Sequence, residues 1–342
     1  MAPKSNLLRH LPPTAVPVRA SDLQAGLSHP ENALEAFRSA LASYLGVSQA
    51  ACRLAASGRT ALYCLLRGLQ SENPSRRQVV MPAYTCPAVA RVAIDCDLQP
   101  IFVDISMRTM NMLPQQLATA VGENTLAVIH VHPFGIPLPF DELMAVAHDA
   151  GAVVIEDAAQ ALGARWQGKP VGTKGDFGLF SLGPGKPIST GGGGFAIANR
   201  QADLPKLEKW WRRLPLSAGT RSAAAWLRQA ALQLLFQPPA WWAATRVGLH
   251  RLGNNEASWG YTVQGLAPSQ AGVGLSVLPR LDEINDQRRQ RAWQLCEALP
   301  QSSQVKTLDI ADQAEPFYLR FPLLVESFKQ REALFDICLL YT

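Results

Sequence analysis

The chain is 342 residues long, enough for about two domains at roughly 100–200 residues each. Apolar residues make up 48% of it and charged residues 17%, which excludes a disordered or collagen-like chain and implies a surface that is small or shared with another subunit. The net charge of +5 is not gathered into a basic arm, so nothing in it points to nucleic acid.

Six cysteines, at 52, 64, 86, 96, 296 and 338, form no Cys-x-x-Cys pair and no Cys/His cluster of zinc-ligand spacing, so no metal is expected. Prolines interrupt residues 1–20 before the apolar core of a signal peptide could form, and no apolar run of about 20 residues occurs. The expected setting is cytoplasmic, with reduced thiols.

Residues 1–30 read as an extended arm. Asn32 then stands at the cap of a helix with Leu34, Phe37, Leu41 and Leu45 at three- and four-residue spacing. From about 51 to 200, short β-rich runs alternate with helical stretches such as Leu143–Ala150. The strands fall at Val79–Tyr84, Pro100–Ile105, Leu126–His132, Val153–Asp157, Phe177–Leu182 and Gly194–Ala198. That alternation predicts an α/β layer architecture around a mostly parallel sheet.

Residues 205–250 change character: five of the eight tryptophans fall between 210 and 242, among arginines. A helix is predicted between Ser222 and Phe236, with Arg221, Arg228, Gln229, Gln233 and Gln237 on one half of its wheel and Pro238-Pro239 as its stop. A further helical region begins at Pro268, with Leu278, Leu281, Ile284, Leu295 and Leu299 as its apolar stripe. The tail reads as strand over Phe317–Val325 and helix over Ala333–Leu340.

Four stretches carry groups that such a fold can use. Ala55 to Leu62 reads as a strand end, a Ser-Gly turn and a helix start; free N–H groups at the positive end of a helix suit a phosphate, although an ordinary capped turn has the same residues. Val153 to Gln160 ends an apolar strand in Glu156 and Asp157, at the edge where open α/β sheets gather ligands. Side chains alternate along a strand, so only one of the two acids can face the crevice, and a solvated pair is the plainer alternative.

Phe180 to Gly194 sets Lys186 in a Gly/Pro frame ahead of four glycines, which permit positive φ and close backbone approach. A P-loop is excluded, because Phe180 and Pro187 stand where glycine and Ser/Thr would be needed; a flexible loop with a solvated lysine is the alternative. His130 and His132 share one face of a strand end and lack a third ligand, so they read as pocket lining or structure rather than a metal site.

Together these stretches resemble the DegT/DnrJ/EryC1/StrS family of pyridoxal-phosphate-dependent sugar aminotransferases, from about Glu31 to Leu340 and most strongly from Val79 to Asn199. The resemblance is carried by SGRTALYCLL, VMPAYTCPAVARVAI, PIFVDI, HPFG, VVIEDAAQALGARWQGKPVGTKGDFGLFSL and GKPISTGGGGFAIA. It implies a fold of the aspartate-aminotransferase type (PLP fold type I), α/β in class. The large domain, with a mixed seven-stranded sheet, would span 1–250, including the arm and the segment 205–250. A small C-terminal α/β domain would span 251–342, and the assembly would be a homodimer.

The cofactor implied is pyridoxal 5'-phosphate. Lys186 matches the lysine linked covalently to it, Asp157 the carboxylate paired with its pyridine nitrogen, and Gln160 the polar residue beside its ring. Ser181 and the turn Gly58-Arg59-Thr60 match the phosphate-binding elements. In family terms the donor is an amino acid, usually glutamate, and the acceptor a keto-sugar linked to a nucleotide, in polysaccharide or secondary-metabolite biosynthesis. A sugar dehydratase of the same family would carry histidine in place of Lys186.

Four features depart from the family pattern. Cys86 follows Pro82-Ala83-Tyr84-Thr85 where an aromatic or histidine usually stacks on the ring, leaving Tyr84 or Cys86 for that place. Arg59 follows Gly58 where Thr or Ser is usual, adding a charge suited to phosphate. Gln264-Gly265-Leu266-Ala267 replaces an Asn-Tyr-Arg-Met stretch that reaches across the dimer, while Ser269-Gln270-Ala271 still fits. The chain stops at Thr342, some tens of residues before its relatives, which reads as an incomplete small domain and keeps a non-catalytic, cofactor-binding paralogue as the rival function. Residues 221–250 suit either weak contact with a membrane surface or burial against the large domain or a second subunit.

Overall fold

The structure is a computed structural model, and it describes residues 17–28, 32–215, 219–246, 260–299 and 305–333. Its sheets use β1 (Cys52–Ala55), β2 (Gln78–Pro82), β3 (Gln99–Val103), β4 (Thr125–Val131), β5 (Val153–Asp157), the short hairpin β6 (Arg165–Trp166) and β7 (Lys169–Pro170), β8 (Phe177–Ser181) and β9 (Gly194–Ala198). Seven of these form the central sheet in the order β1-β9-β8-β5-β4-β2-β3. From β8 across to β3 neighbours run parallel, whereas β9 is antiparallel to both β1 and β8. Six strands of this sheet therefore point one way and β9 alone points the other.

The central parallel strands β4 and β5 are buried, mostly apolar runs because helices cover both faces. On one face α3 (Gly58–Glu72) presents Leu62, Leu65, Leu66 and Leu69 to Val79, Met81, Ile129 and Phe177, with α4 (Pro87–Asp95) and α7 (Leu204–Trp211) beside it. On the other face α2 (Ala33–Leu45) buries Phe37, Leu41 and Leu45, and α5 (Pro114–Ala120) and α6 (Asp141–Asp149) bury Leu117 and Leu143. Asn32 occupies the N-cap position of α2 but makes no side-chain cap bond.

Several expectations need correction. The arm is not extended throughout: residues 20–27 form the helix α1 (Ala20–Leu27), and residues 1–16 lie outside the described ones. α1 packs on the later helix α10 (Pro268–Val277), where a Cβ on Gly26 would meet Val273 at 2.7 Å. Pro238-Pro239 does not only stop α8 (Gly219–Leu235); it also begins α9 (Pro238–Arg246), as proline can in a first helical turn whose N–H groups need no partner. On α11 (Leu281–Ala298), Leu281 is buried but Leu295 is half exposed, so the apolar stripe fades along the helix.

In the tail only Leu324–Val325 of the expected strand is extended and paired. It forms β12 against β10 (Val305–Lys306), while β11 (Ala314–Glu315) pairs with β6. Residues 328–333 are helical, and the helix expected over 333–340 lies almost wholly outside the described residues.

Candidate active site

The shared direction of six strands brings the turns after β1, β2, β4, β5 and β8 to one edge of the sheet, the edge at which ligands collect in α/β folds. The seven residues assigned to the cofactor above lie on these turns or on the strand ends and helix start that flank them. After β1, Ser57 caps α3: its Oγ accepts from the Thr60 N–H at 3.0 Å. The Thr60 hydroxyl donates to the Thr262 carbonyl at 2.9 Å, so it is committed within the chain. A Cβ on Gly58 would stand 3.2 Å from the Ser181 Cβ, so glycine is what lets the start of α3 reach the end of β8. Arg59 lies over the ring of Tyr261, 5.7 Å from its centroid.

β5 separates its two acids. Glu156 is fully buried, and its carboxylate accepts from the N–H groups of Gly172 (2.9 Å), Lys174 (2.7 Å) and Gly175 (2.5 Å). His132 completes the cluster at 3.1 Å. Its Nδ1 accepts from the Leu138 N–H at 3.0 Å, so the proton sits on Nε2 and is donated to Glu156. Glu156 thus pins the loop 172–175, and Asp157 is the acid left for the sheet edge. Asp157 accepts from the Ala159 N–H at 3.0 Å and is otherwise desolvated.

Lys186 follows Gly185, whose φ of 74° turns the loop after β8, and its N–H donates to the Gly183 carbonyl at 3.3 Å. Burial holds the Lys186 amine below its ordinary pKa; Asp157 and Cys86 pull it back up and Arg320 lowers it further. Burial pushes the Asp157 carboxyl up, against the opposing effects of the Ala159 N–H, Lys186 and His132. The two groups lie within electrostatic reach in one water-poor place, and desolvation drives both towards neutrality.

Gln160 is fixed by its Oε1, which accepts from the Phe134 N–H at 3.2 Å. Phe134 has a positive φ of 58°, and Tyr84 leans on its ring at 5.8 Å while remaining half exposed. Of the two residues left for ring stacking, Cys86 is the one that acts on Lys186. Residues 317–320 dock on the same loop, with the Phe317 N–H donating to the Gly135 carbonyl at 3.1 Å and the Arg320 N–H to the Phe134 carbonyl at 3.4 Å. Arg320 thereby reaches the site from the C-terminal segment, a placement that no sequence pattern announces. Also missed was a role for Thr85, whose hydroxyl oxygen is buried without a partner, while Ser57 is the cap that the Ser-Gly turn allowed for.

Gln264 and its neighbours lie on the first turn of their own chain: the Gln264 carbonyl accepts from the Ala56 N–H at 3.0 Å, and Gln270 donates to the Thr190 carbonyl at 3.3 Å. His130 is buried and stacked on Phe140 at 4.9 Å, with no hydrogen-bond partner on either ring nitrogen. Burial and the neighbouring His132 hold its pKa well below the usual value, so both histidines serve the interior. Among the described residues no group of three His, Cys, Asp or Glu could hold a metal ion.

A mixed seven-stranded sheet with one reversed strand, and turns that bring a half-buried lysine near a buried acid, define a fold of the aspartate-aminotransferase type. A sugar aminotransferase from Micromonospora echinospora superposes with a TM-score of 0.70, covering 95% of this chain and 84% of that one at 24% identity. An aminotransferase involved in pseudoaminic acid biosynthesis in Helicobacter pylori gives 0.75, with 96% and 83% covered at 18% identity. At such identities the likeness is one of fold.

The chain belongs to the DegT/DnrJ/EryC1/StrS aminotransferase family, whose model matches residues 20–338. It is 36% identical over 151 residues to a UDP-N-acetyl-3-dehydro-alpha-D-glucosamine 3-aminotransferase of Acidithiobacillus ferrooxidans, covering 44% of this chain and 40% of that protein. It is also 36% identical over 164 residues to a GDP-perosamine synthase of Caulobacter vibrioides, covering 48% and 43%. The chain thus spans less than half the length of these curated relatives.

Proposed function

We propose that the chain is a pyridoxal-phosphate-dependent aminotransferase, working as a homodimer, that takes an amino group from an amino acid such as glutamate and gives it to a nucleotide-linked keto-sugar. The observation that carries this is the placement of Lys186 on the turn after β8, next to the strand β5 that ends in Asp157, with desolvation working against the charge on each. The residues present fit the cofactor. An aldehyde requires an uncharged amine, which burial of Lys186 favours. A phosphate requires a helix start that a backbone can approach closely, which Gly58 provides against Ser181, with the unpartnered Thr85 hydroxyl on a neighbouring turn.

When bound, pyridoxal phosphate supplies an aldehyde and an electron-accepting ring. Asp157 holds a positive charge at the ring nitrogen. Lys186 would hold the cofactor through its uncharged amine and, when that amine is free, would carry a proton on its Nζ to and from the substrate carbon. Gly58, Arg59 and Ser181 would hold the phosphate end, with Thr60, whose N–H and hydroxyl are taken by Ser57 and Thr262, shaping the turn, and Gln160, fixed by Phe134, would lie beside the ring. Two of the relatives matched above are named for sugars joined to UDP or GDP, which supports an acceptor of that class.

The test is direct. Purified protein mixed with pyridoxal phosphate is expected to turn yellow, to bleach with glutamate, and to lose the colour in Lys186→Ala. Colour that no amino acid bleaches would favour the cofactor-binding, non-catalytic reading; colour unchanged in Lys186→Ala would refute the assignment.

A further inference from the structure

Helix α8 turns two polar residues inward and leaves Arg221 and Arg228 exposed. Ser222 and Gln229 are buried, and the Ser222 hydroxyl and carbonyl bind the N–H and hydroxyl of Ser269 at 3.1 and 2.7 Å. Gln229 lies over the glycine run that follows Lys186: a Cβ on Gly191 would meet its Oε1 at 2.5 Å. Trp226 donates its indole N–H to the Leu23 carbonyl at 2.7 Å. The opposite side exposes Ala224, Leu227, Ala231 and Leu234, with the two leucines 61% and 70% exposed. Their spacing of three, four and three residues makes one straight apolar stripe.

The charge around this stripe has one sign. Between Glu208 and Glu256 the sequence contains no acid, but it contains Arg212, Arg213, Arg221, Arg228, Arg246 and Arg251. On α8 and α9, Arg221 bonds the neutral Gln264 at 2.8 Å, Arg246 lies 4.3 Å over the ring of Trp242, and Arg228 is partly desolvated beside Gly192. No carboxylate among the described residues pairs with these three. A second copy docked through this face would bring arginines against arginines with no acid to offset them. A surface offering apolar chains below a layer of phosphates satisfies both the leucines and the arginines. No helix among the described residues is long and apolar enough to cross a membrane, so the contact would lie on the surface.

We propose that the Ala224–Leu227–Ala231–Leu234 face of α8, with the arginines of α8 and α9, rests on an anionic lipid surface. The docked helix lies over Gly191 and Gly192, in the glycine run that follows Lys186, so the site would work near that surface.

The test uses the full chain and sedimentation with vesicles of phosphatidylcholine and phosphatidylglycerol in equal parts, against phosphatidylcholine alone. Binding is expected only to the anionic vesicles, weakening as salt is raised. Leu227→Ser with Leu234→Ser is expected to weaken it by about tenfold, and Arg221→Gln with Arg246→Gln by about tenfold as well. Far-ultraviolet dichroism and the thermal midpoint confirm that each variant is folded. Equal binding to both vesicle types, no binding to either, or binding that neither double variant weakens would each overturn the proposal. A Leu227→Ser/Leu234→Ser variant that lowers the mass in solution while leaving vesicle binding intact would assign the face to a second copy instead.

Discussion

Glu156 and Asp157 are consecutive residues of β5 with separate duties. Glu156 accepts three backbone N–H groups of residues 172–175, and Asp157 acts on Lys186. Their amides should therefore separate cleanly. Glu156→Gln replaces one acceptor oxygen by a donor that faces other donors. A loss of about 2–4 kcal/mol is expected, read as a lower urea midpoint, with cofactor absorbance retained in the folded fraction.

Asp157→Asn should do the reverse. Its shape is kept, so the urea midpoint should move little, but the charge that raises the Lys186 pKa is gone. The amine pKa should fall further, and the pH dependence of pyridoxal phosphate capture should shift to lower pH. Turnover should fall by about 10²–10³-fold, the usual effect of removing a group that stabilises developing charge. An unchanged capture profile would disconnect the two residues.

Lys186→Ala should leave no covalent link to the cofactor. After borohydride reduction of the wild type with pyridoxal phosphate, mass spectrometry should find the added mass on the peptide that contains residue 186, and none in the variant. Label recovered on another lysine would move the assignment there.

His130 gives a pH prediction. Its folded pKa is depressed well below the ordinary value, so just below that value the unfolded chain binds a proton that the folded chain does not. Stability is then full above the unfolded pKa of about 6.5 and is lost as pH falls below it, by about 1.4 kcal/mol per pH unit until the folded pKa is reached. His130→Phe removes this slope and the two unpartnered ring nitrogens. Urea midpoints measured from neutral to mildly acidic pH should be flatter in the variant.

Backbone contact predicts a severe effect at Gly194. A Cβ there would collide with the Gly58 backbone nitrogen and Cα, with only main chain to yield. Gly194→Ala should destabilise by about 3 kcal/mol and weaken cofactor affinity along with stability, because β9 and the first turn of α3 must separate. A variant of wild-type midpoint would show that the two backbones are not in contact.

Much of this was legible from residue order. β-branched runs between glycines and acids place six strands, and an alternating α/β pattern dictates that Lys186, Asp157 and Gly58 arrive at one edge. Where the reading failed, the deciding contact was distant in sequence. Helix α1 sits in a stretch that reads as an arm because its support is far away: Asp22 binds Ser276 at 2.6 Å and pairs with Arg280, and Trp226 bonds Leu23. A helical wheel groups the polar residues of α8 but does not say that Ser222 and Gln229 turn inward while Arg221 and Arg228 stay exposed. That was set by Ser269 and by glycines 191 and 192, which accept a polar side chain at close range. Arg320 is a single charge in an otherwise apolar run, and only the clamp on Phe134 and Gly135 makes it part of the site.

The reversed strand β9 has a consequence for how the protein comes into being. It zips onto β1, pairing Ile197 with Cys52, and the Gly193 N–H donates to the Ala56 carbonyl at 2.7 Å. A nascent chain that has left the ribosome up to β8 carries Gly58, Asp157 and Gln160 but neither Lys186 nor the strand that closes the edge, because the seam waits for β9. Pairing across so long a span is slow to nucleate. In refolding, the yellow of the captured vitamin should therefore trail the return of helical dichroism.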